Sequence, residues 1–509
     1  MSAFARIPLK ALSPILLAAT LLCPAAAGAD VRLARIFTDH MVLQMGRAVP
    51  VWGWADPGEK VVVYFAEQQA ETTAGPDGRW QVKLGPLGVG GPHELVVAGA
   101  NVLRLSDVWT GEVWLCSGQS NMAMQVKSCL NAEEEIAASA NLKIRHFFVP
   151  RFKAGEPQDT LARSSAWEVA SPETVGDWSA VGYFFARELN EKLGVPVGII
   201  NSSWGGTVVE AWISRQALEN DSKISSVFTE WPSFNEDESW LKDRYEAHLK
   251  EVEEARAAGK PEPAFFNQPT VLFNGMIDPL LPYAIRGAAW YQGESNAYRG
   301  YQYRDLFPAL IRDWRGRFGV GAFPFLFVQL ANFNAGDEVW PELREAQTMT
   351  LDLLNTGMAV TTDIGEADDI HPRNKQDVGL RLARAARATA YMERIEYSGP
   401  LYESLEIEGG KARISFTHTG EGLVVRDDGE PAGFEIAGQD RRFVQATARI
   451  EGELVVVWSD EVPTPVAVRY AWRDNPEEAN LYNVTADGTR LPASSFRTDD
   501  WPGKTSENR

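Results

Sequence analysis

The sequence predicts an α/β protein: a parallel sheet with helices on both faces, flanked at each end by a domain built only from strands. Three observations carry this reading. Apolar strand-like runs alternate with helical stretches from about 107 to 397, the pattern of a covered parallel sheet. On either side, short alternating runs are punctuated by Gly, Pro and Asp. At 509 residues the chain exceeds one hydrophobic core and suggests about three units.

Residues 1–29 stand apart from the fold. Arg6 and Lys10 precede the apolar run Ala11 to Leu22, and Ala27-Gly28-Ala29 fits a small-x-small cleavage site, so a secretory leader is expected with the mature chain starting near Asp30. Leu22 is too bulky to precede a lipidated cysteine at Cys23. No later segment is a membrane span, so the mature protein is expected to be soluble outside the cytoplasm, periplasmic or secreted. The leader carries two positive charges, so its loss takes the net charge from −20 to −22, which argues against nucleic acid and anionic lipid as partners. The remaining cysteines, Cys116 and Cys129, bracket one turn and are the pair that an oxidising compartment would offer for a disulfide.

Residues 30–106 read as a small β-sandwich. VPVWGW, KVVVYF, RWQVKL and HELVVAG are its strands, separated by Asp56-Pro57-Gly58, Gly75-Pro76-Asp77-Gly78 and Gly90-Gly91-Pro92. Near Asp107 the period changes. Val113 to Cys116 is a buried strand, Ser117 to Asn121 a sharp turn, and Met122 opens a helix. Then follow a helix over Tyr183 to Leu193, a strand over Val197 to Ile200, a strand over Arg286 to Tyr291 and a helix over Tyr303 to Phe318. A strand over Phe323 to Leu330, a helix over Glu342 to Leu354, a strand over Met358 to Thr362 and a helix from Lys375 to about Tyr391 complete the pattern. An insertion at about 214–268 carries the charged helix Ser239 to Ala258, read as a solvated face. From 398 the strand pattern returns to the C-terminus as a second β domain.

The polar motifs cluster just after strands, where ligand chemistry gathers on such sheets. A lone serine before a helix reads as an N-cap. Ester hydrolysis through Ser120 would further need a base, an acid to orient it, and oxyanion donors. Of six histidines, His40, His93 and His418 lie in the β domains, His146 follows a strand-like run, and His248 lies on the charged helix. His371 lies in Asp368-Asp369-Ile370-His371-Pro372, after a strand and before a helix. An acid two or three residues earlier in one tight loop can reach its Nδ1 and leave Nε2 to face the serine. No spacing for metal ligands occurs.

Gly118-Gln119-Ser120-Asn121-Met122, Trp204-Gly205-Gly206-Thr207, Trp290-Tyr291-Gln292-Gly293-Glu294-Ser295 and Asp369-Ile370-His371-Pro372 resemble the sialate O-acetylesterase family of SGNH hydrolases. Asp39-His40-Met41-Val42-Leu43-Gln44, Asn480-Leu481-Tyr482-Asn483 and Phe496-Arg497-Thr498-Asp499 extend the likeness over nearly the whole mature chain. The resemblance implies a three-layer α/β/α esterase domain at 107–397 and removal of acetyl groups from O-acetylated sugars without metal or organic cofactor. Ser120 is then the nucleophile and His371 the base, oriented by Asp368 or by its rival Asp369. The Ser120 and Gly205 or Gly206 backbone N–H groups and the Gln292 amide become oxyanion donors. Trp204, Glu294 and Arg373 are substrate-side candidates, with Glu294 alternatively a buttress of the serine loop. The substrate is left between O-acetylated sialic acid and acetylated xylan or xyloglucan. The competing expectation is a secreted carbohydrate-binding module whose esterase site is vestigial.

Overall fold

The structure is a computed structural model that describes residues 30–231, 239–260, 262–427 and 429–508. The leader reading falls on residues outside this set. Its organising element is a long strand, β1 (Val102–Gly118), that belongs to two sheets at once. Over its first half β1 pairs antiparallel with Gly90–Ala98 and parallel with Val42–Gln44. Its second half is the centre of the main sheet. The strand passes through 106–107, where the sequence reading sets a domain boundary, without a break.

The main sheet contains β2 (Asn141–Phe148), β3 (Trp167–Ala170), β4 (Val197–Ser203), β5 (Gly287–Tyr291), β6 (Phe325–Val328) and β7 (Thr356–Ala359), in the order β3-β2-β4-β1-β5-β6-β7. All neighbours are parallel except β3, which runs antiparallel to β2 at the edge. The apolar content of these strands is what burial on both faces demands, and every residue of β4 through β7 is buried.

Side-chain parity separates the two helical layers. Trp114 and Ser117 of β1 point to opposite faces, and Trp290 of β5 lies in register with Ser117. Trp114 meets Phe185 of α2 (Ala180–Leu193) edge-on at 5.1 Å, whereas Trp290 packs on Phe307 and Trp314 of α4 (Gly300–Phe318). Helix α6 (Lys375–Thr389) packs beside α2, and α5 (Trp340–Met349) beside α4. A three-layer α/β/α core results.

Residues 31–101 form two small sheets, one of which continues into β1, so the N-terminal β unit and the esterase sheet share one apolar core. The C-terminal region builds three sheets of four, three and four strands around a separate core. The insertion contributes helix α3 (Ser239–Ala257), whose Leu241 packs with Phe265, Phe266, Trp231 and Trp204. Cys116 and Cys129 are buried free thiols, so the pairing that the sequence left open is not made, and the Cys129 thiol donates to the Leu130 carbonyl at 3.3 Å. Among the described residues no helix is long and apolar enough to cross a membrane.

Candidate active site

The C-terminal ends of β1, β4 and β5 converge, and β1 turns sharply there. Gly118 takes φ +134°, and a Cβ at this position would lie 2.1 Å from the Tyr291 carbonyl oxygen, so only glycine lets the two strands approach. The turn is held from both sides. Gln119 N–H donates to Tyr291 O at 2.9 Å, Trp204 N–H donates to Gly118 O at 3.0 Å, and Gln119 Oε1 accepts from Gly293 and Ser295 N–H.

Ser120 then opens the one-turn helix α1 (Ser120–Ala123). The N-cap position belongs to Gln119, so the capping role that a lone serine suggests is not the one Ser120 plays. Ser120 lines an open cleft of about 670 Å³ that it shares with His371, Trp204, Gly205 and Asn201. Gly205 packs so closely that an added Cβ would sit 3.1 Å from Ser120 Cβ. Gly206 takes φ +74° and turns its carbonyl toward the Asn267 amide.

His371 reaches the cleft from the loop between β7 and α6. Its backbone N–H donates to Asp369 Oδ1 at 2.8 Å, and its Nδ1 stands 3.7 Å from the same oxygen, within ion-pair range but longer than a hydrogen bond. Asp368 is exposed and makes no such contact with His371. Burial lowers the His371 pKa, Asp369 raises it, and the nearby Lys375 ammonium lowers it further, a net downward shift that favours the neutral form a base requires.

Three expected site residues lie elsewhere. Both amide hydrogens of Gln292 are taken, by Thr207 O at 3.1 Å and Asn296 Oδ1 at 2.6 Å, and its Oε1 accepts from the Tyr303 hydroxyl. That leaves no hydrogen for an oxyanion. Glu294 is buried behind the serine turn, where its Oε1 accepts from Asn121 Nδ2 at 2.6 Å, so it buttresses the turn and does not line the cleft. Arg373 turns away to the Ser128 and Cys129 carbonyls. The guanidinium groups that do line the cleft are Arg151, just beyond β2, and Arg244 on α3, which lies over Phe266. Position after a strand was a usable signal for Arg151. For Arg244 there was none, because a charged helix reads as solvent-facing. Trp204 stacks on Phe266 with ring centroids 6.1 Å apart and presents the rest of its ring to the cleft.

His40 shows what proximity alone is worth. Its Nδ1 lies 2.7 Å from Asp107 Oδ2, closer than His371 is to Asp369. Asp107 and Ser120, however, are separated by about 40 Å of extended strand, at the usual rise per residue.

A family model described as carbohydrate esterase, sialic acid-specific acetylesterase, matches residues 110–388, more than half of the chain. The chain belongs to this carbohydrate esterase family. The sialate O-acetylesterase of Mus musculus is 33% identical to it over 523 residues, covering 92% of this chain and 94% of that protein. The Homo sapiens sialate O-acetylesterase is 32% identical, covering 94% and 95%. The crystal structure of a carbohydrate acetylesterase from Xanthomonas citri superposes with a TM-score of 0.81 at 41% identity, over 93% of this chain and all of that one. The likeness to these relatives extends beyond the esterase region into both flanking β regions.

Proposed function

We propose that this protein removes acetyl groups from O-acetylated carbohydrates through a serine acyl-enzyme. The observation that carries the reading is that Ser120 and His371, from loops about 250 residues apart in sequence, face one open cleft at the sheet's C-terminal edge. His371 Nε2 takes the Ser120 proton as Oγ attacks the acetyl carbonyl. The tetrahedral oxyanion is stabilised by the backbone N–H groups of Ser120 and Gly205, each such donor contributing about 3 kcal/mol to the transition state. Collapse expels the sugar oxygen, which takes the proton from His371. Water, deprotonated by the same imidazole, then releases acetate and returns the proton to Ser120.

Asp369 is the acid that orients His371 in this scheme, supported by its contact with the imidazole, which Asp368 lacks. Gln292 becomes a brace within the loop after β5. Trp204 offers an apolar face to a pyranose ring. Arg151 and Arg244 give the cleft a cationic wall, which favours a sugar bearing a carboxylate. After removal of residues 1–29 the enzyme works outside the cytoplasm.

The test is acetate release from O-acetylated sialic acid and from acetylated xylan and xyloglucan, by wild type and Ser120→Ala. Release that Ser120→Ala retains would end the serine mechanism, and faster release from the neutral glycans would end the carboxylate preference. The binding-module alternative finds no support in the relatives, which are named as esterases.

A further inference from the structure

Lys375 is the first residue of α6 and one of the costliest placements in the molecule. A lysine seldom lies in a protein interior, and a cation at a helix N-terminus opposes the helix dipole. Yet its exposure is 0%, as against 2% for Asn121 and 9% for Glu294, the two groups it is linked to. Its ammonium donates to Asn121 Oδ1 at 2.6 Å and lies 5.2 Å from the centre of the Tyr291 ring. Asn121 follows the nucleophile directly. Its Nδ2 donates to Glu294 Oε1 at 2.6 Å and to the Ile370 carbonyl, next to His371, at 2.9 Å. The chemistry fixes this orientation, since an ammonium only donates and a carboxylate only accepts. One amide thus joins the serine turn, the loop after β5 and the histidine loop, and Lys375 supplies the cation that its carbonyl and the buried Glu294 require. Glu294 Oε2 has no hydrogen-bond partner among the described residues.

We propose that Lys375 is a positioning residue of the hydrolytic site: through the Asn121 amide it locks the serine turn and the histidine loop into one register, and its charge acts on His371. The inference rests on the Ser120–His371 reading given above. Glu294, Glu366 and Asp369 also face Lys375, as does the neutral Cys129 thiol, and the carboxylates hold the ammonium against the burial that pulls its pKa down to about 7. A cation near His371 disfavours the imidazolium, so its removal raises the pH at which the base becomes protonated.

The test compares wild type, Lys375→Met, the double variant Lys375→Met/Glu294→Gln and Ser120→Ala on 4-nitrophenyl acetate from pH 4 to 9. The double variant removes both members of the buried charge pair, so neither is left uncompensated. Each variant's fold is checked by circular dichroism. In the folded Lys375 variants kcat should fall about 10- to 100-fold, as a misplacement of about 1 Å produces, with KM within about threefold. The acid limb of kcat/KM should move to higher pH. Wild-type kcat and an unmoved acid limb in a folded Lys375 variant, alongside an inactive Ser120→Ala, would overturn the role of Lys375 alone. An active Ser120→Ala would instead overturn the serine reading.

Discussion

Replacing Asp369 by alanine should cost much more activity than replacing Asp368, although the two are adjacent in the chain. Asp369 Oδ1 lies 3.7 Å from His371 Nδ1 and accepts the His371 N–H at 2.8 Å. Opposite charges about 4 Å apart attract by about 1 kcal/mol in water and about 4 kcal/mol at an effective dielectric of 20. The side chains are 43% and 53% exposed, so solvent screening selects the low end, about 1 to 2 kcal/mol. Loss of the acceptor that orders the loop adds about 1 kcal/mol. The expected fall in kcat/KM is thus about 30- to 150-fold for Asp369→Ala, and less than about twofold for Asp368→Ala. Asp369 also raises the His371 pKa, so without it the imidazole stays neutral to lower pH, and the acid limb of the profile should move down. Steady-state hydrolysis of an acetyl ester from pH 4 to 9 measures both effects. A larger loss in Asp368→Ala, or wild-type behaviour in Asp369→Ala, would refute the assignment.

Ser120→Ala should retain the fold and lose more than about a thousandfold in kcat, measured on the same ester. Gly118→Ala would put a methyl group 2.1 Å from the Tyr291 carbonyl, and should lower the melting temperature and abolish activity together, seen by thermal denaturation beside the assay. Trp204→Ala should raise KM about 2- to 10-fold for acetylated oligosaccharides and leave that for 4-nitrophenyl acetate nearly unchanged, since only a sugar ring uses the indole face. His146 is buried against Trp178 and its pKa is pushed down to about 3 by burial. Its folded pKa lies below its unfolded value near 6.5, so its contribution to stability is present above pH 6.5 and is lost as pH falls toward 3. Between pH 7 and pH 5 this amounts to about 2 kcal/mol. His146→Phe should flatten that part of the acid dependence in urea titrations, and an unchanged slope would refute it.

The sheet was legible because its strands are short apolar runs, and the helices because Val195-Pro196 and similar breaks bound their periodic stretches. The edge strand Trp167–Ala170 escaped notice, since four residues on a sheet margin give no period. The site was legible to the extent that backbone demands special residues. Gly118 and Gly205 are glycines for steric reasons, and the histidine loop carries its acids in sequence. What could not be read was the network linking residues 121, 294 and 375. Its contacts join distant segments, and Lys375, at the start of an amphipathic helix, has the pattern of a solvated charge. Gln292 was misplaced for the same reason: whether an amide hydrogen is free depends on Thr207 and Asn296, which folding brings to it.

The double membership of β1 has a consequence for how the chain is made. While the ribosome is producing residues 119–196, β1 can pair only with Gly90–Ala98 and Val42–Gln44, so its esterase half waits with both edges bare. Its last partner, β5, ends at Tyr291, about 170 residues later, which at ordinary rates of synthesis is about 10 to 30 seconds. An apolar strand with one edge unsatisfied for that long is a natural client for a holding chaperone. It also means that the N-terminal β unit cannot be cut away as a spare module, because a cut after residue 101 would strip the strand that delivers the nucleophile of its partners Val42–Gln44 and Gly90–Ala98.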